Sequence, residues 1–198
     1  MGSKRHKRNH SELRDNTITA VLDANVLYPM MLRDTLLRAA GVGCFRVHWS
    51  KEILDEVERN LVGDNRMNPR NAARLRRAME AAFPAASVDG YQRLTPTMRN
   101  HVKDRHVAAV AVTTGATMIV TSNIRDFQAL PQGIVAVAPD MFLQRLWAED
   151  AALVRSAIER QAGAFMRPKL TPDTIVDRLR TVTPEFADLW FADRERSS

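Results

Sequence analysis

The sequence predicts an α/β protein: a mostly parallel central sheet flanked by helices, followed by a small helical appendage. Three observations carry that prediction. Short apolar, partly β-branched runs alternate with longer runs of helical spacing; the strand-like runs end in polar residues; and beyond Ala151 only helical patterns remain. Parallel neighbours in a sheet need a crossover, and helices between strands supply it.

The elements follow in order. Thr17 to Leu22 (TITAVL) is a short apolar run leading into Asp23, Ala24 and Asn25, a buried strand with a polar end. Pro29 opens a helical stretch from Met30 to Ala40, closed by Gly41 and Gly43. Phe45 to Trp49 suits a second strand, and Ser50 is placed to cap a helix through Ile53, Leu54, Val57 and Leu61. Asn68 and Pro69 start a further helix to about Phe83, with Arg70, Arg74 and Arg77 along one face. From Asp104 to Gly115 the small apolar residues of a buried helix precede a strand, Thr117 to Thr121, which ends in Ser122 and Asn123. Ile134 to Val137 gives another strand, and Pro139 with Asp140 starts a helix bearing Phe142, Leu143, Leu146 and Trp147. Thr171-Pro172-Asp173 and Thr183-Pro184-Glu185 both read as capped helix starts. The expected division is a basic tail over 1–16, an α/β domain over 17–147 and a helical extension over 148–198.

With 45% hydrophobic and 26% charged residues, a chain of 198 residues has the material for one packed domain and a small appendage, and disorder over most of it is excluded. A single cysteine, Cys44, cannot form an internal disulfide. No apolar stretch approaches a membrane span or a signal-peptide core, so a soluble, cytoplasmic protein is expected. The net charge of +6 points to an anionic partner. Half of it sits in residues 1–16, whose five Lys/Arg face only Glu12 and Asp15; this stretch reads first as a solubilising tail and second as an electrostatic arm. Of the 29 basic residues 24 are Arg, which favours bidentate pairing with carboxylate or phosphate.

Ligands of open α/β sheets bind beyond the carboxyl ends of the strands, where strand order reverses. Asp23 ends the first strand, Asn123 and Asp126 follow a later one, Asp104 opens the helix before it, and Glu56 lies on the second crossover helix. A cluster of four carboxylates would repel itself strongly unless it held a hard cation through oxygen, so Mg²⁺, or Mn²⁺ in its place, is the implied cofactor. Taken singly each acid has an ordinary explanation: a strand end, a solvated helix face, a helix N-terminus, a turn cap. No Cys/His set has zinc-ligand spacing, and His101 and His106, which flank Asp104, read as ordinary histidines.

The runs TAVLDANVLYPMMLRDTLLRAA, RVHWSKEILDEVERNL, DRHVAAVAVTTGATMIVTSNIRDF and GIVAVAPDMFL, in that order over about residues 17–147, resemble a PIN-domain ribonuclease of the branch that contains VapC-type toxins of bacterial toxin-antitoxin pairs. The resemblance implies a PIN-like three-layer fold and places the family's acids on Asp23, Glu56, Asp104 and Asp126. Glu52 and Glu58 are rejected as the helix acid because neither keeps the spacing from Ser50. Asn25, Thr121 and Asn123 fall on supporting positions that orient the carboxylates. One departure stands out: the branch carries a pattern like Pro-Asp-Pro-Asp-Asp-Arg-His before and around the third acid, where this chain has Asn100-His101-Val102-Lys103-Asp104-Arg105-His106. The acid is kept, and the change bears on second-metal affinity and metal preference.

The resemblance further implies metal-assisted hydrolysis of RNA to 5′-phosphate and 3′-hydroxyl ends, a cognate antitoxin in the active-site groove, and a homodimer. Arg33, Arg105, Arg125 and the Arg70, Arg74, Arg77 face are candidates for phosphate contact. Two alternatives stay open. A HAD-like phosphatase would use Asp23 as nucleophile, although Asn25 stands where a second acid is expected and no Lys follows convincingly. A housekeeping, non-catalytic PIN protein would bind RNA without cutting it.

Overall fold

Five strands, all parallel, form the sheet in the order β3-β2-β1-β4-β5: β1 (Thr19–Leu22), β2 (Arg46–Ser50), β3 (Ser87–Val88), β4 (Met118–Val120) and β5 (Val135–Val137). A computed structural model describes residues 17–197, and the basic stretch 1–16 lies outside the described residues. The chain travels from β1 outward to β2 and β3, then returns to the far side of β1 for β4 and β5. The reversal of strand order therefore falls between β1 and β4, with Leu22 paired to Val120 at their carboxyl ends.

The crossovers are helical. Between β1 and β2 run α1 (Ala24–Leu27) and α2 (Met30–Gly41); between β2 and β3 run α3 (Lys51–Gly63) and α4 (Pro69–Ala82); α5 (Arg105–Thr114) leads into β4. Caps fix several starts. The Ser50 hydroxyl accepts from Ile53 N at 3.2 Å, Asn68 Oδ1 accepts from Asn71 N at 2.8 Å, and Gly115 ends α5 in the left-handed region at φ 66°. Helix α5 is buried from His106 to Ala111, and its run of Val and Ala lets it lie against β1, β2 and β4. The central strand β1 is covered on both faces, which is why TAVL is continuously apolar rather than alternating.

Two elements were not anticipated. β3 is only two residues long, pairing Trp49 with Ser87 and Ser50 with Val88, too short to leave a periodic trace in the sequence. The polar stretch after Leu22 forms the single helical turn α1, started by Asp23, whose carboxylate accepts from Ala24 N at 2.7 Å.

The C-terminal third is helical: α6 (Pro139–Ala164), α7 (Pro172–Leu179) and α8 (Pro184–Ser197). Helix α6 breaks at Asp150 (φ −157°, ψ 90°), whose carboxylate caps the continuation by accepting from Leu153 N at 3.0 Å. The expected boundary at 147 lies within α6, just before this break. Thr171 caps α7 as its sequence suggests. Thr183 does not cap α8: its hydroxyl donates to Leu179 O, and the amides of Glu185 and Phe186 are taken by Asp140, 3.3 and 2.9 Å away.

Buried Gln161 of α6 joins the extension to α2, accepting from Thr35 Oγ1 at 2.7 Å and donating to Met31 O at 3.1 Å. Within the extension the Arg155 guanidinium lies 5.2 Å from both the Trp147 and Trp190 ring centres and pairs with Asp193. Trp190, 1% exposed, also donates its indole N–H to Asp173 at 2.9 Å. Replacing so large a side chain at the meeting point of α6, α7 and α8 leaves a cavity and takes one of two donors from Asp173, which keeps the Arg194 guanidinium at 2.7 Å. Trp190→Ala is expected to lower stability by about 3–5 kcal/mol, read as a fall in the urea midpoint.

Candidate active site

Asp23 stands where β1 ends and α1 begins, 4% exposed. Its Oδ1 accepts from Ala24 N at 2.7 Å, and its Oδ2 accepts from the Thr121 hydroxyl and from Asn25 Nδ2, each at 2.7 Å. Thr121, fully buried just past β4, joins the two strand ends: its Oγ1 donates to Asp23 and accepts from Asn25 Nδ2 at 2.9 Å and Asn123 N at 3.1 Å. Asn25 Oδ1 in turn accepts from Ser122 N at 2.9 Å. The carboxylate is thereby held in one orientation from both sides of the switch point.

Asp104 is the N-cap residue of α5 by position, yet its side chain makes no capping hydrogen bond. The carboxyl instead faces His101, whose Nδ1 is 3.5 Å from its Oδ2, with Asp126 and Glu56 close enough to act on its charge. Asp126 lies in the single-turn helix Ile124–Phe127 after β4; its carboxylate accepts from Asn123 Nδ2, and its backbone oxygen accepts from His101 N at 2.9 Å. One ligand atom from each of His101, Asp104 and Asp126 falls within 4.8 Å of the others.

Glu56 is the one α3 carboxylate left without an ion pair or hydrogen bond among the described residues. Asp55 is taken by Lys51 and Arg76, Glu58 by Arg76, and Glu52 by the Tyr91 hydroxyl at 3.3 Å, with buried His106 at 3.8 Å. Electrostatically Glu56 acts on both Asp23 and Asp104. The structure thus brings the four acids into one charged group, together with His101, which the sequence led us to read as an ordinary histidine. The signal for His101 was its place three residues before Asp104, one turn away, a spacing that carries no weight until the loop is folded.

The arginines separate. Arg33 is 4% exposed and its guanidinium donates to Leu27 O at 2.6 Å and Tyr28 O at 3.0 Å, satisfying the carbonyl end of α1; it is buried in the fold and turned away from any phosphate, which corrects its place among the candidates. Arg105 Nε donates to Asn100 O at 3.2 Å. Arg125 is exposed next to Asp126. Arg70, Arg74 and Arg77 are exposed and line, with Asn68 and Asn71, a groove of about 510 Å³ on α4. A cavity of about 670 Å³ lined by Thr17, Phe45, His48 and Phe83 opens near the amino ends of β1 and β2, on the opposite edge from the acids. None of the residues lining that cavity is a carboxylate, whereas the acids gather at the other edge.

The comparisons with known proteins decide the family. A PIN domain model matches residues 19–125, just over half of the chain. The chain belongs to the PIN-domain family. Residues 139–189 match the VapC50 C-terminal domain, so the helical extension of this PIN protein starts, by that measure, at the first residue of α6. The chain is also 39% identical, over 101 residues, to a Mycobacterium tuberculosis protein carrying the provisional name ribonuclease VapC50; the match covers 50% of this chain and 60% of that relative. No solved structure matches the chain. The HAD-like phosphatase reading is set aside by the family.

Burial pushes the Asp23 carboxyl up from 3.8 to about 6, helped by repulsion from Asp104 and Glu56 and opposed by the Thr121 and Ala24 hydrogen bonds. Burial also raises Asp104, and Asp126 and Glu56 add to this while His101 and His106 oppose it. A carboxyl higher in the folded than in the unfolded chain costs nothing while both forms are protonated. The cost grows as pH rises through the window from about 4 to about 6 and persists above it. For Asp23 that cost is about 3 kcal/mol. In chelator, Asp23→Asn is therefore expected to gain stability relative to the unsubstituted protein as pH rises from 4 to 7, read from urea midpoints at the two ends. A difference independent of pH overturns the assignment of the strained charge to Asp23.

Proposed function

We propose that the chain is a VapC-like toxin: an endoribonuclease that hydrolyses RNA phosphodiesters with Mg²⁺ and is held inactive by a cognate antitoxin. The observation that carries this reading is Asp23, a buried carboxylate fixed by Thr121 and Asn25 at the strand switch and crowded by Asp104, Glu56 and Asp126. The site fits a hard divalent cation on the chemistry of its donors. Four carboxylates act on one another's charge with no lysine or arginine of the described residues among the hydrogen-bond partners of Asp23, Asp104, Glu56 or Asp126, and the burial strain on Asp23 is the kind a cation relieves. Asp23 and Asp104 would hold the cation, with Glu56 and Asp126 completing the set.

When bound, the cation supplies positive charge that makes water a better nucleophile and stabilises the negative charge gathering on the phosphate. The chain's own part is positioning. Thr121 and Asn25 keep Asp23 Oδ2 in place, Asn123 restrains Asp126, and the buried floor under Asp23 keeps bulk water from one side of the reacting phosphate. Glu56, without an ion pair or hydrogen bond among the described residues, is the carboxylate available to take a proton from the attacking water. The exposed Arg70, Arg74 and Arg77 groove on α4, with Arg125 and Arg105 nearer the acids, offers contacts to RNA phosphates. A cognate antitoxin and a homodimer belong to this reading through the family.

Asp104→Asn is expected to reduce Mg²⁺-dependent cleavage by about a hundredfold or more with the fold intact by circular dichroism. Mapping cleaved RNA ends after induced expression should give 5′-phosphates. A folded Asp23→Asn, Asp104→Asn double variant that still cuts at full rate overturns the reading, and unimpaired RNA binding with no cleavage by the unsubstituted protein favours the non-catalytic alternative.

Replacing Arg70, Arg74 and Arg77 together by Ala is expected to weaken RNA binding for all sequences alike. The slope of log affinity against log salt should fall by about 2, at about 0.7 for each single-strand phosphate that the variant no longer neutralises.

A further inference from the structure

The acidic group is not chemically uniform. Its buried end, around Asp23, presents oxygen alone. Its outer end includes an imidazole: His101 Nδ1 lies 3.5 Å from Asp104 Oδ2, and His101, Asp104 and Asp126 each offer an atom within a 4.8 Å span. The His101 side chain is 45% exposed and that of Asp104 19%, so the position opens to solvent while its inner wall is protein. Next to His101 in the chain, the carboxamide of Asn100, 3% exposed, has neither its oxygen nor its nitrogen hydrogen-bonded among the described residues. Oxygen-only sites suit Mg²⁺, whereas imidazole nitrogen shifts selectivity toward first-row transition cations.

We propose that His101, Asp104 and Asp126 form a second cation position at the outer edge of the site, with one nitrogen and two carboxylate ligands, that takes Mn²⁺ and its transition-metal neighbours in preference to Mg²⁺. The inference rests on the reading of the acids as a cation centre and adds to it a specificity-determining residue, His101. This is also the stretch in which the chain departs from the acidic pattern of its branch: His101 and Lys103 stand at positions where that pattern places acids. With Lys103 contributing positive charge in place of an acid, the turn depends more on the coordinating strength of the imidazole and less on accumulated negative charge.

The test uses the full chain with Mn²⁺ and Mg²⁺ added separately, binding followed by calorimetry and the Mn²⁺ environment by electron spin-echo spectroscopy. Mn²⁺ is expected to bind with a nitrogen coupling in the echo that is absent in His101→Ala. That variant should lose about tenfold or more in Mn²⁺ affinity, the scale on which even outer-sphere partners of a metal act, with Mg²⁺ affinity changed less than about twofold. His101→Asp, which restores an all-oxygen set, should move the preference back toward Mg²⁺. If Mg²⁺ binds and Asp104→Asn abolishes it, while His101→Ala leaves Mn²⁺ affinity and the nitrogen coupling unchanged, the His101 assignment is overturned and the cation centre stands. If neither cation binds the unsubstituted protein, both fall together.

Discussion

A hydroxyl on one strand end and a carboxylate on the next, 2.7 Å apart, hold the place where this chain reverses its course across the sheet. Thr121 and Asp23 are 98 residues apart in sequence, and every element between them is arranged so that β1 and β4 can lie side by side. The small side chains of α5 let that helix sit close beneath both strands, which sets Asp104 at its start beside the same edge. The α2 crossover keeps β2 on the other flank of β1, and α3, starting directly from β2, brings Glu56 over the edge. A hydrogen bond of ordinary net strength thereby defines the geometry of the centre, because its donor and acceptor are buried and an unmade partner would be expensive.

The centre is maintained against its own electrostatics. The neighbouring acids of α3 are neutralised locally, Asp55 and Glu58 through Arg76 from α4, and Arg33 turns its charge onto the carbonyl end of α1. Cations are thus used up around the acids without entering them. The modest net charge of the chain conceals this sorting: carboxylates gathered at one sheet edge, and the exposed Arg70, Arg74 and Arg77 gathered along α4. For a protein acting on a polyanion, that separation lets the surface attract what the bare centre would repel.

What the sequence made legible was what is encoded locally. The strand-to-Asp23 boundary, the Ser50 and Asn68 caps and the Thr171 start each depend on residues within a few positions of one another. Assembly of Asp23, Glu56, Asp104 and Asp126 came from the order of motifs, since spacing along the chain does not say that β1 and β4 pair. Features fixed by distant partners were hidden. Asp140 caps α8 from 45 residues away, and Thr183, the expected cap, serves another bond. Arg33 looked like any charged residue of an amphipathic helix until burial assigned it to α1. His101 is silent in sequence for the same reason: its meaning depends on the turn that lays Asp126 against it.

Helix α6 is shared between the sheet layer and the extension, and that has a consequence for how the chain tolerates change in length. From Pro139 to Asp150 the backbone is one continuous helix, with Phe142 against Phe45 on the sheet side and Trp147 against Phe186 and Trp190 on the other. Each residue inserted or deleted in that span would turn everything after it by about 100°, carrying the tryptophan out of register with its partners. The 128–134 loop before β5 has no such phase to keep. Variation in length among relatives should therefore collect in that loop and after the Asp150 break, while the span between Pro139 and Asp150 stays constant to the residue.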